Sequence, residues 1–245
     1  MKRANFRRLL FAYTCFVAAL IFSIFVLLRT SLATESPVLS TTEMNSSGSA
    51  GKKDSFHDAV QAVKNRRFQY AVQLFTKLSE VPQYDGQYEA QFNLAVLLKQ
   101  GKGRPQNYAE AMYWARRAQL GGIEKAKFLA DDINDLITDE QYVEICERIK
   151  ISLLREIDAG AISVLPQLAR FHITLLEDND YGQAYVWFSL AEALDLPEQE
   201  GRRSEMEDEL DTEQVAELQK ETGRLFDALL AGESLEAMLR PAQKE

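Results

Sequence analysis

The sequence predicts an all-α fold: an α-solenoid of stacked antiparallel helical pairs, preceded by a transmembrane helix and a flexible linker. Three observations carry this. Trp114 and Trp187 stand 73 positions apart, and the same offset joins Tyr108 to Tyr181, Ala111 to Ala184, Ala118 to Ala191, Glu140 to Glu213 and Gln141 to Gln214. An internal repeat of this kind marks stacked helical units. After Ser55, apolar residues recur every three or four positions and no alternating run marks a strand. Finally, Thr138 precedes Gln141, and Asp211 precedes Gln214, by three residues. That spacing is the capping box, which satisfies orphaned backbone donors at a helix start.

Residues 1–8 form a basic tail, and Leu9 to Leu28 is an uncharged, mostly apolar run. As a helix rising about 1.5 Å per residue it spans the roughly 30 Å hydrocarbon layer. Lys2, Arg3, Arg7 and Arg8 before it, against Arg29 after it, place the N-terminus in the cytoplasm and the remainder across the membrane. Ser31, Leu32 and Ala33 also resemble a signal-peptide cleavage site, which gives the alternative of a secreted or periplasmic protein cut near Ala33. The length of the run and its interruption by Arg29 favour a retained anchor. On either reading the folded part is exported.

Residues 29–54 read as a tether, rich in Ser, Thr, Gly and Ala from Thr34 onward. About twenty such residues reach on the order of 25 Å root-mean-square. The helical repeat domain is expected over 55–232 and a C-terminal tail over 233–245. Phe56 to Lys64 and Phe68 to Ser79 form a first helical pair around Asn65, Arg66 and Arg67, with Phe68, Ala71 and Phe75 on one face and Pro82 breaking the chain after it. One copy of the duplicated unit then runs from Gln87 to Gly160 and the other from Ser163 to Gly232. Each closes with an amphipathic helix, striped by Tyr142, Ile145 and Ile149 in the first and by Val215, Leu218 and Leu225 in the second.

The residues from Ala90, Leu94, Ala95 and Leu98 through Gly101 and Gly103 to Asn107, Ala111, Trp114, Ala118 and Gly122 resemble a Sel1-like repeat of the wider tetratricopeptide class. Leu168, Ala169 and His172, with Asp180, Ala184, Trp187, Phe188 and Ala191, are similar to a second. Phe68, Ala71, Phe75 and Pro82 are similar to half of a tetratricopeptide unit. The chain departs from the family where His172 replaces an aromatic, where the second copy lacks the turn glycines, and over the degenerate stretch Ile123 to Asp158. The resemblance implies a non-enzymatic scaffold or adaptor on the periplasmic side of a bacterial inner membrane. The alternatives are a glycan- or peptidoglycan-binding envelope protein, presenting aromatics such as Tyr88 and Tyr113, or an accessory subunit of an envelope enzyme. Physical roles agree: alanines seven apart let helices approach closely, and the tryptophan between them supplies buried area.

Charge and chemistry narrow the function. Of the 28 basic residues five precede Glu35, leaving 23 against 37 acidic ones. That balance excludes the basic stripe that nucleic-acid binding requires. His57 and His172 are the only histidines, Cys146 is the only cysteine after the apolar run, and no nucleophile elbow or phosphate loop is present. No catalytic residue, cofactor site or metal site is expected. Glu177 to Asp180 reads as a solvated turn, Glu205 to Glu209 as an exposed helix face, and the pairs at Arg66, Arg116 and Arg202 as ordinary surface charge. The expected partner is a protein, held in a concave groove. Gln87, Gln91, Arg170 and Thr174, which the packing pattern leaves unused, are its expected contacts.

Overall fold

The computed structural model describes residues 56–81, 86–197 and 201–239. The apolar run at 9–28, the linker, Cys15, Ala33, Pro82 and residues 240–245 lie outside the described residues. The described residues contain eleven α-helices and no strand: α1 Phe56–Lys64, α2 Phe68–Ser79, α3 Gln87–Gln100, α4 Tyr108–Leu120, α5 Glu124–Asn134, α6 Asp139–Asp158, α7 Leu165–Thr174, α8 Tyr181–Ala193, α9 Arg202–Glu207, α10 Thr212–Ala231 and α11 Leu235–Leu239. Most helices adjacent in sequence pack together, α5 with α6 and α9 with α10 excepted, as in an α-solenoid, and none of the described helices is long and apolar enough to cross a membrane.

The duplication is visible element by element. Helices α4 and α8 have equal length, as do α6 and α10. Asn107 and Asp180 cap α4 and α8 at equivalent positions, each accepting from the backbone N–H three residues on. Both capping boxes form, Thr138 with Gln141 and Asp211 with Gln214. Within each copy the second helix is the hub: α4 packs on α3, α5 and α6, and α8 packs on α7, α9 and α10. Small residues make those approaches possible, since Ala111, Ala118, Ala184 and Ala191 are all fully buried. Trp187 is 1% exposed and Trp114 8%; each such ring removed from water contributes on the order of 3 kcal/mol.

The two copies differ by one residue in the turn after their first helix. Asn107 N–H donates to the Leu98 carbonyl at 3.2 Å, and Asp180 N–H donates to the His172 carbonyl at 2.9 Å. The first helices are therefore related by 74 positions and the remaining helices by 73. The longer turn leaves α3 through Gly101 at φ +65° and then uses Gly103 at φ +83°. Gly103 is also required sterically, because a Cβ there would lie 2.4 Å from the Phe68 carbonyl oxygen. The shorter turn needs no glycine, since Leu175 leaves α7 in the right-handed region. Its carbonyl accepts from the Tyr142 hydroxyl of α6 at 3.0 Å.

The end of the stack is built differently from its middle. In α6, Cys146, Ile149, Leu154 and Ile157 are all buried, and α7 lies against that helix. Their counterparts in α10 are Gln219, Thr222, Asp227 and Leu230, three polar residues and one leucine that is 67% exposed. A polar outer face is what a terminal repeat needs to stay in water. The stripe match also needs one correction: the counterpart of Ile149 is Thr222, while Leu225 takes the place of Ser152.

The C-terminal tail begins later than expected. Residues 233–239 turn back and form α11, which packs on α6, with Leu235 fully buried. Asp158 at the end of α6 accepts from the Leu235 and Glu236 N–H groups at 2.7 and 3.2 Å and from the Ser234 hydroxyl at 2.6 Å. Arg155 adds a bidentate bond to Glu236. These contacts tie the end of the second copy to the first.

Candidate binding surface along α6

A groove of about 840 Å³ runs along the outer side of α6, with Tyr113 of α4 as its far wall. Its apolar lining is Val143, Ile151, Ala159 and Tyr113, and Val143 is 66% exposed. Residues four apart along α6 face the same way, which is how Val143, Glu147 and Ile151 align along one edge. Among the charged residues of the lining, three are held by ion pairs within the fold. Arg148 makes a bidentate bond to Glu110 at 2.7 and 3.0 Å, Arg155 bonds Glu236, and Glu156 bonds Arg117. Glu144 and Glu147 pair with none of the described residues.

A buried polar cluster supports the groove from beneath. Arg117, with 2% of its side chain exposed, donates to Glu156 at 2.8 Å and to the Ser152 hydroxyl at 2.9 Å. Ser152 also accepts from the Tyr113 hydroxyl at 3.2 Å and donates to Glu156 at 3.2 Å. The Tyr113 ring carries the Arg148 guanidinium 3.9 Å from its centroid. Tyr113 is thus locked by its hydroxyl and covered on one face, with only 6% of its surface exposed. In the second copy the positions of Arg117, Ser152 and Glu156 hold Leu190, Leu225 and Leu229. The same helix interface is therefore polar in one copy and apolar in the other.

Divergence extends to the rim. The counterparts of Val143, Glu147 and Ile151 are Ala216, Lys220 and Arg224, so the apolar trough and its free carboxylates belong to the first copy. Phe128, 69% exposed on α5, and Leu136, 45% exposed beyond it, lie outside this groove.

The expected partner contacts fall elsewhere, and two need correcting. Gln87 and Gln91 are 2% and 0% exposed. Both donate to the Ser79 carbonyl at 3.2 Å, satisfying an orphan acceptor at the end of α2. They are interior residues that no partner reaches. Arg170 is half-buried with its Nε donating to the Pro166 carbonyl, and Thr174 is exposed at the end of α7. Neither lines the α6 groove. Surface charge was likewise the wrong expectation for Arg116 and Arg117, which are 8% and 2% exposed. Tyr88 is half-buried; its ring fills the space where Gly121 has no side chain, and its hydroxyl accepts from Gln167.

Adjoining the groove and sharing Val143 and Glu147 with it, a cavity of about 410 Å³ brings Cys146, His172 and Asp180 together. The types suggest a nucleophile, a base and an orienting acid, which requires the nucleophile hydrogen-bonded to the base. His172 is 3% exposed and neither ring nitrogen is hydrogen-bonded to a described residue. Its Nδ1 lies 3.6 Å from Asp180, a charge-pair distance rather than a hydrogen bond. That neighbour holds the Asp180 carboxyl below its ordinary range. Burial pushes the Cys146 thiol up, away from the reactive thiolate. Its weak bond goes to the Leu175 carbonyl at 3.9 Å. Among the described residues, no group of three His, Cys, Asp or Glu side chains is placed to hold a metal ion.

Compared with protein-family models, with curated proteins and with solved structures, the chain matches none.

Proposed function

We propose that this protein is a non-enzymatic scaffold or adaptor of the Sel1-like class, anchored in the inner membrane by residues 9–28, with its repeat domain in the periplasm. The observation that carries the proposal is the unequal divergence of the two copies. The alanines and tryptophans that bring the helices together are kept, as in Ala111 and Ala184 or Trp114 and Trp187, whereas the outer face of α6 carries Val143, Glu147 and Ile151 where α10 carries Ala216, Lys220 and Arg224. A stacked helical array offers such surfaces to partner segments without needing any chemistry of its own. The lowered exposure of Tyr113 and the engaged hydroxyl of Tyr88 weigh against the glycan-binding alternative, which needs accessible ring faces.

Chemical cross-linking of the full chain in the cells that make it, followed by identification of the attached proteins, tests the proposal. The expected result is one recurrent protein, joined through residues near α6. Recovery of no recurrent protein under several growth conditions would contradict it.

A further inference from the structure

We infer that the α6 groove receives a basic amphipathic segment of the partner, whose apolar residues enter the trough while its Lys or Arg side chains meet Glu144 and Glu147; this rests on the scaffold reading above. The trough presents Val143, Ile151 and Ala159 against Tyr113, with Glu147 and Arg155 between them along the same edge, and apolar positions so interleaved with charge suit an amphipathic helix. The charges decide the sign of the occupant. Arg148, Arg155 and Glu156 are already matched by Glu110, Glu236 and Arg117, so they offer a partner no net charge. What remains are the carboxylates of Glu144 and Glu147, spaced three apart on the exposed edge of one helix. An acidic segment laid here meets two uncompensated like charges, and a neutral one leaves them facing apolar surface. A basic one neutralises both. Such rim complementarity sets selectivity and association rate more than bulk affinity.

The second copy provides an internal comparison. Glu217 stands where Glu144 does, but it is bonded to Lys220, which replaces Glu147, and Arg224 fills the place of Ile151. At the equivalent positions that surface has neither the large apolar side chains nor an unpaired carboxylate.

The test uses the full chain and two synthetic peptides of about four helical turns, identical in their leucine pattern, one carrying lysines and the other glutamates at the remaining positions. Binding is followed by fluorescence anisotropy. The lysine peptide is expected to bind about tenfold more tightly than the glutamate peptide, the scale of two rim charges acting together. The double variant Glu144→Lys/Glu147→Lys is expected to invert that preference. Glu213→Lys/Glu217→Lys, which changes the total charge equally in the second copy, is expected to leave it within about twofold. Both variants alter exposed residues, and circular dichroism checks that they fold. Equal binding of the two peptides, no binding of either, or equal loss in both double variants would overturn the inference, the last by showing attraction to overall negative charge. A cross-linked partner at the groove that carries no basic amphipathic segment would overturn it while leaving the scaffold reading intact.

Discussion

Arg117 of α4 and Glu156 of α6 close a salt bridge at 2.8 Å, inside the fold, at the positions that Leu190 and Leu229 hold in the second copy. One helix interface has thus been solved in two ways within a single chain. Arg117→Leu alone leaves the Glu156 carboxylate without its counter-charge, with only the Ser152 hydroxyl still donating to it, and should cost about 3 kcal/mol. Tyr113→Val/Arg117→Leu/Ser152→Leu/Glu156→Leu, which copies Val186, Leu190, Leu225 and Leu229 of the second interface, should recover most of that loss. Denaturant unfolding distinguishes the two, and a single variant as stable as the parent would refute the account of this interface.

Gly103 and Gly122 both hold positive φ, at +83° and +95°, but only Gly103 faces backbone. Gly122→Ala should cost about 1 kcal/mol for its conformation alone. Gly103→Ala should cost clearly more, because its Cβ would meet the Phe68 carbonyl and separate α2 from the turn. Thermal unfolding of both variants measures the difference; equal losses would mean that the turn moves away freely.

Docking of α11 depends on Asp158. Asp158→Ala removes the acceptor of two N–H groups and one hydroxyl at the start of α11, a loss comparable to a helix cap, about 1–2 kcal/mol. Hydrogen exchange should show amides of residues 235–239 losing protection while those of α4 keep theirs. Unchanged protection of α11 would show that Leu235 and the Arg155–Glu236 pair hold it without Asp158.

Tyr142 gives a signature at high pH. Burial raises its hydroxyl from 10.0 to about 12, so the folded state keeps a proton that the unfolded state releases first. The stability this contributes is complete below pH 10 and is lost as pH rises toward about 12. Tyr142→Phe should flatten the stability profile across that interval. A profile identical to that of the parent would contradict the burial of this hydroxyl.

Much of the fold was legible in the sequence because it depends on local signals. The bounds of α1 and α2, both capping boxes, and the buried alanines and tryptophans follow from periodicity and caps that neighbouring residues specify. The site was much less legible. Gln87 and Gln91 look like surface residues until the end of α2 arrives with the unpaired Ser79 carbonyl, a contact made across a chain reversal. Arg117 reads as surface charge for the same reason, since Ser152 and Glu156 lie on a helix more than thirty residues away. The helix α11 is short, and what fixes it is Asp158 in the preceding copy. A signal for the groove did exist: Val143 against Ala216, Glu147 against Lys220 and Ile151 against Arg224 fail to match at the 73-residue offset. Attention to what repeats passes over those positions, although they are where the copies have separated in chemistry.

The most direct test of the scaffold reading places one photo-cross-linking residue at Val143 and, in a separate full-length variant, at its exposed counterpart Ala216. The account predicts a discrete adduct with one recurrent protein from position 143, lost on adding Glu144→Lys/Glu147→Lys, and none from position 216. The same adducts from both positions, or none from 143, would contradict it.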